Sequence, residues 1–297
     1  MAVTGNTIRM GVNHHGIGIG FLQGGNSTGT RISDVLIARN TSTGGNVDGG
    51  IFVAAGVQRA QANTIERVRV LDNRVHLTRQ RSAPCCFTIV LEAGQDTWAE
   101  NARPVNYPDR NVLRDVRVAG NSVSGSVAAG VKIGAGIDAG GSENRIQEVR
   151  VEHNVVRSTI TGKGVYLWTG QILPFEGTYA RGNRIAGVTI ESNRITTGRG
   201  EPLQGETIRW SAGGVVLLGG WQYSRRGVIR NVRIRNNRIA TRYAGVRLIG
   251  GIDPTARGNG VSCVRLARNR ITGTRKRISV RANMRGAAGN RASLRGC

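Results

Sequence analysis

Residues 63–75 read Asn-Thr-Ile-Glu-Arg-Val-Arg-Val-Leu-Asp-Asn-Arg-Val, and their internal spacing carries the fold. Counting from Ile65, apolar residues return at +3 (Val68) and +5 (Val70), an asparagine at +8 (Asn73) and an apolar residue at +10 (Val75). The same offsets recur from Leu113 (Val116, Val118, Asn121, Val123) and from Ile146 (Val149, Val151, Asn154, Val156). They return from Ile185, Ile229 and Val261. A degenerate copy starts at Ile32, with Ser42 in the last apolar place, and a partial copy, Asn6-Thr7-Ile8, opens the chain. A second element, Gly-Val-x-Leu or close to it, follows most copies: Gly50-Ile51-Phe52-Val53, Gly130-Val131-Lys132-Ile133, Gly164-Val165-Tyr166-Leu167, Gly214-Val215-Val216-Leu217 and Gly245-Val246-Arg247-Leu248. A period of this kind marks a repeat architecture.

Each unit of 32 to 48 residues holds three apolar-x-apolar pieces, for example Val68-x-Val70, Asn73-x-Val75 and Ile89-x-Leu91. Alternation at period two means strands, and no ten-residue window carries a helical stripe. Three short strands per unit, repeated about seven times, predict a parallel β-solenoid whose inward residues pile into one core. Asn6, Asn40, Asn73, Asn121, Asn154, Asn193, Asn237 and Asn269 then share one corner. Asparagine tolerates the left-handed conformation of a tight corner, and stacked amides can bond to one another as a ladder.

On these residues the chain resembles the right-handed parallel β-helix of the pectate lyase and polygalacturonase superfamily, with its asparagine ladder. The resemblance spans Asn6 to Val280 and implies an all-β, single-stranded right-handed helix of about seven coils. One domain is expected over residues 1–280, its N-terminal coil incomplete because Asn6-Thr7-Ile8 begins mid-coil. Residues 281–297 read as a basic, irregular tail rich in Gly, Ala and Arg. No apolar signal segment and no 18-residue apolar span occurs, so no transmembrane helix is expected. Cys85, Cys86, Cys263 and Cys297 have no metal-ligand spacing and leave the redox compartment open. The resemblance implies an extracellular or cell-surface location.

The net charge is +24, from 42 basic and 18 acidic residues, and only Lys132, Lys163 and Lys276 are lysines. Arginines fall on fixed outward positions. In the second strand the column reads Leu36, Arg69, Arg117, Arg150, Thr189, Arg233, Arg265; in the third it reads Thr7, Thr41, Arg74, Ser122, Val155, Arg194, Arg238, Arg270. Stacked like charges need counter-ions or a ligand unless arginine is simply the codon-favoured cation of a solvated face. The charge suits a polyanion, either an acidic polysaccharide or the phosphate backbone of a nucleic acid. Nucleic acid is disfavoured, because no base- or phosphate-reading motif and no aromatic interleaves the rows.

The longest and most varied loops flank the Gly-Val-x-Leu strands, which by resemblance border the superfamily's substrate groove. Trp98, Trp168, Trp221 and Tyr223 fall there, and Lys132, Tyr166 and Arg247 point outward from the strands themselves. Exposed aromatics among polar groups suit sugar rings; they also serve to pin long loops. The resemblance implies a polysaccharide lyase, with hydrolysis second. Lys132 and Arg247 would meet carboxylates or remove a proton, Tyr166, Trp168, Trp221, Tyr223 and Trp98 would stack on sugars, and Asp138 and Asp253 would act as acids or ligate a cation such as Ca²⁺. The lyases' calcium and arginine motifs have no counterpart. His14-His15-Gly16 is similar to the Gly-His-Gly segment of polygalacturonases, but no acid precedes it. Gly251-Ile252-Asp253-Pro254 is similar to half of the alginate-epimerase motif, with Thr255 and Ala256 in place of its His and Asp. The alternative is a non-catalytic β-helix: an adhesin, surface stalk or phage-like receptor-binding module. Oligomeric state is open.

Overall fold

The computed structural model describes the chain outside residues 11–15, 21–26, 45–48, 58–59, 78–86, 96–107, 126–128, 138–140, 159–162, 171–178, 198–211 and 275. It is a right-handed parallel β-helix with three long faces: parallel sheets of nine, eight and eight strands. One coil runs Thr64–Leu71, Arg74–Leu77, Phe87–Gln95; the next runs Val112–Ala119, Ser122–Ser124, Ala129–Ile137. We call the three faces the bulged sheet, the short sheet and the Gly-Val sheet, in that order. Eight such coils are stacked, one more than the approximate count expected. The first begins with Ala2–Thr4, which occupies the bulged-sheet position that the sequence left unassigned.

The +3 offset has a local cause. Ile65 pairs with Leu113, Glu66 with Arg114 and Val68 with Val116, which leaves Arg67 and Asp115 outside the register. Both are left-handed, at φ 53° and 49°. The same skipped, left-handed residue recurs at Asp34, Glu148, Gly187, Asn231 and Cys263. One extra residue per strand shifts the alternation by one, so Ile65 and Val68 both face inward. The seven eight-residue strands of this sheet carry it at the same place, and pairing resumes on both sides. Thr64–Leu71 is therefore a single strand of eight residues, where the sequence suggested only Val68-x-Val70.

The asparagine column forms as expected. In every step from Asn6 to Asn269, the backbone N–H and Nδ2 of one asparagine both donate to Oδ1 of the next, at 2.9–3.0 Å. The left-handed residue is not the asparagine, however. It is the one before: Arg39, Asp72, Gly120, His153, Ser192, Asn236 and Arg268 have φ between 52° and 68°. A second ladder, unforeseen, opens the bulged strands. Asn63, Asn111, Asn144 and Asn183 bond in series, as do Asn259 and Asn290. Gly227 interrupts it; Asn259 Oδ1 there accepts from Gly227 N and Ser224 Oγ. Ala62, Arg110, Glu143, Gly182, Arg226, Gly258 and Gly289 repeat the left-handed step before the corner.

The core is columnar. Ile65, Leu113, Ile146, Ile185, Ile229 and Val261 are register partners, all with no measurable exposure. Where a strand of this sheet carries the Gly-Val pair, the glycine stands where inward space is already filled from the short sheet; the Phe87–Gln95 strand has Thr88 at that register position. A Cβ on Gly164 would lie 2.2 Å from Ile195 Cγ2, and one on Gly214 2.2 Å from Ile239 Cγ2.

Residues 281–297 are not an irregular tail. Ile278–Asn283 crosses that boundary as an edge strand of the Gly-Val sheet, and Arg291–Ala292 closes the bulged sheet. The last residues then turn back along the outside of the coil. Cys263 N donates to Arg295 O, Val264 N to Leu294 O, and Cys263 and Cys297 form a disulfide. Among the described residues no helix is long and apolar enough to cross a membrane.

Candidate functional site

The outward column of the Gly-Val sheet runs Phe52, Val90, Lys132, Tyr166, Val216, Arg247 and Ser279 in register. These side chains point away from the core, yet Phe52, Val90, Lys132, Tyr166 and Val216 are at most 2% exposed. Two further apolar clusters lie on this face, one built on Phe52 and Val90, the other on Tyr166, Trp168, Val216, Leu218 and Ile249. Its aromatics are thus not the exposed set that the sequence suggested. Trp168 is 5% exposed, and Phe87, Trp221, Tyr223 and Arg247 are half-buried.

Lys132 faces Glu92 across adjacent strands, with Nζ 2.6 Å from Oε1, and both side chains are buried. The Lys132 ammonium also lies 4.3 Å from the Phe87 ring centroid and 5.5 Å from that of Trp168. Such contacts replace part of the lost hydration. Trp168 in turn packs on Tyr166 (centroids 5.5 Å) and Trp221 (5.4 Å). Lys163, which the sequence did not single out, is also buried, and its Nζ sits 4.4 Å from the Tyr166 centroid. Burial, and then the nearby Lys132 charge, pushes its pKa down to about 7. Its amine therefore exchanges a proton near neutrality.

Lys132, Tyr166, Trp168 and Trp221 come together. Arg247 does not join them. Three register steps separate it from Lys132, about 14 Å at the inter-strand spacing. Burial, and then Arg281, lowers the Arg247 pKa. Asp253 is engaged in a turn: it accepts from Thr255 N at 3.0 Å and Thr255 Oγ1 at 2.6 Å, and Thr255 Oγ1 accepts from Tyr223 N at 2.7 Å. Tyr223 stands beside Tyr179, whose ring is covered by the Arg225 guanidinium at 3.4 Å. Asp138, Trp98, His14, His15, Cys85 and Cys86 lie outside the described residues. Among the described residues no three His, Cys, Asp or Glu side chains assemble as metal ligands.

The arginine columns stack in register as read, on both the bulged and the short sheet. On the bulged sheet the early coils neutralise them internally. Arg69 bonds both Asp115 carboxylate oxygens at 3.1 Å, Arg117 bonds Glu152 at 2.6 Å, and Arg67 bonds Asp34 at 2.7 and 2.8 Å. Glu66 collects Arg31, Arg67 and Arg114. Hydrogen bonds from Arg31 and then Arg114 hold its pKa down to about 2. Further along, the one ion pair among the described residues of this sheet is Arg235 with Glu191. Comparison with protein-family models, with curated proteins and with solved structures returned no match to this chain.

Proposed function

We propose that this protein binds an acidic polysaccharide along the side of its β-helix, in the manner of the pectate lyase and polygalacturonase superfamily. The observation that carries the reading is the stacking of a +24 chain's arginines into an in-register column on the bulged sheet that runs out of partner acids toward the C-terminal coils. A polymer with a charge on each residue meets such a column repeatedly, which a small anion does not. The disulfide supports a secreted or surface setting, since such bonds persist where the surroundings are oxidising.

The finer form of the proposal is cleavage by β-elimination at the Gly-Val face. There a base takes the proton beside the uronate carboxylate, the C–O bond to the next sugar breaks, and a C=C bond forms. The leaving oxygen takes up a proton. A cation beside the carboxylate would lower the barrier. Arg247 is the half-open cation of this face and would be the group that meets the carboxylate. A second reading, a non-catalytic adhesin or receptor-binding module, is favoured by the burial of Lys132 in its pair with Glu92 and by the distance between Lys132 and Arg247.

The test is incubation with acidic and neutral polysaccharides, with and without Ca²⁺, read by ultraviolet absorbance for unsaturated ends and by a reducing-end assay. Unsaturated ends that Arg247→Ala abolishes would establish the lyase. Salt-sensitive retention without new ends leaves the binding module. Absence of retention on every acidic polymer at low salt refutes the proposal.

A further inference from the structure

A cavity of about 430 Å³ lies on the outside of the bulged sheet over the last three full coils. Its floor is the column of left-handed residues Gly187, Asn231 and Cys263. Its rim is the register column Thr189, Arg233, Arg265, and Cys297 closes one side through the disulfide. Sequence reading placed Arg233 and Arg265 in a row, but no spacing signalled a hollow beside them. The returning C-terminal segment borders the hollow through Cys297, which is bonded to Cys263.

The early coils supply a built-in comparison. There the arginine of one coil meets the left-handed residue of the next: Arg69 Nη1 and Nη2 each lie 3.1 Å from an oxygen of Asp115, a two-pronged contact. The residues that follow Arg150 and Arg233 in the same relation are Gly187 and Cys263. Neither carries a carboxylate. No Asp or Glu lines the cavity among the described residues. Arg233 and Arg265 are register partners, about 4.8 Å apart along the stack, so their like charges repel unless an anion sits between them.

We infer that this cavity is an oxyanion subsite, in which Arg233 and Arg265 grip a carboxylate or sulfate group of an acidic glycan where Asp115 serves Arg69. A planar guanidinium fork suits either group, and two forks one strand apart can hold one oxyanion between them. Thr189 and Asn231 offer a hydroxyl and an amide at the edge for neighbouring sugar hydroxyls. Gly187, at φ +69°, carries no side chain, and a Cβ there would lie 3.4 Å from the backbone N of Glu148 in the preceding coil. This inference rests on the acidic-glycan reading and adds the place and the gripping residues.

The experiment compares Arg233→Ala/Arg265→Ala with a charge-matched control on the short sheet, Arg194→Ala/Arg238→Ala, alongside the unaltered protein. Calorimetry with uronate and with sulfated oligosaccharides measures affinity, and inorganic sulfate is followed through the arginine Nε–H resonances. The expected result is a loss of about tenfold or more in the first variant, the scale of one charge-assisted two-pronged contact, and under about threefold in the control. Arg233→Lys/Arg265→Lys should fall between, since it keeps the charge and loses the fork. Whichever oligosaccharide loses the affinity identifies the group as carboxylate or sulfate. Equal losses in both Ala variants would mean diffuse attraction and overturn the subsite. If sulfate shifts the Arg233 and Arg265 resonances while no glycan binds, the subsite stands and the glycan reading fails. If glycan binds all variants alike, the subsite fails and the glycan reading stands.

Discussion

Lys163 rests against the Tyr166 ring with its amine withdrawn from water, and burial holds its pKa at about 7. In the unfolded chain the same amine titrates near 10.4. Between these values the unfolded state holds a proton that the folded state has released, so the lysine makes stability climb as pH rises from about 7 toward roughly 10. Below about 7 both states are protonated and the penalty is constant. Lys163→Met is therefore expected to be more stable than the parent at about pH 6, with the difference shrinking toward pH 10. Urea unfolding across that range checks it; a difference that stays constant would refute the shifted amine. Nothing in the local sequence marks this lysine. Lys163 precedes Gly164-Val165 as Ala129 precedes Gly130-Val131, and its burial comes from outside its own strand. Glu66 is similar. In the sequence it is one polar residue between Ile65 and Val68, whereas in the structure three arginines from three coils converge on it.

At the scale of the element, the unit is a strand with a left-handed insertion, bounded by corners that share one device: a left-handed residue followed by an asparagine. Asn154 shows why the asparagine is there. Its Oδ1 takes both N–H groups of Asn121, and its Nδ2 donates to Val118 O and Asn193 Oδ1. Alanine would strand these buried groups, at roughly 1–3 kcal/mol for each one left unpaired. Asn154→Ala should thus lose at least about 2 kcal/mol, and Asn269→Ala, at the half-buried ladder end, about half as much. Thermal denaturation measures both, and equal losses would mean that stacking contributes nothing beyond the single corner. The +8 column was legible because the side chain itself makes the bond. The insertion was not, because its residue varies freely (Arg67, Asp115, Asn231, Cys263), and only the +3 step betrays it. The second ladder lies two residues before each apolar start, and Thr30 and Gly227 break its sequence pattern.

At the scale of the whole molecule, each coil touches mainly its neighbours, so stability is distributed along the axis. The Cys263–Cys297 disulfide closes a 34-residue separation around the last coil. A loop of that length is stabilised by about 4 kcal/mol in the chain-entropy account. In a solenoid the effect should stay local. Reduction is expected to speed hydrogen exchange in residues 260–297 while residues 112–191 keep their protection. Loss of protection along the whole axis would show that the coils unfold as one unit. The charge follows the same axis: acids accompany the arginines of the early coils and thin out toward Arg233 and Arg265, where the cavity opens.

The order of strands, the core columns and the first ladder were determined by the sequence alone, because stacked coils repeat one environment and a period exposes it. Lys132 and Arg247 were likewise legible as outward residues of one column. Which outward residues are wet was decided only in three dimensions. Tyr166 and Arg247 share that column, yet one is sealed and the other half-open. The bonding of Lys132 to Glu92, the wall raised by Cys297 and the hollow beside Arg233 likewise join residues tens of positions apart with no period between them. Contacts of that kind depend on how coils of unequal length come to lie side by side, and a repeat carries no record of it.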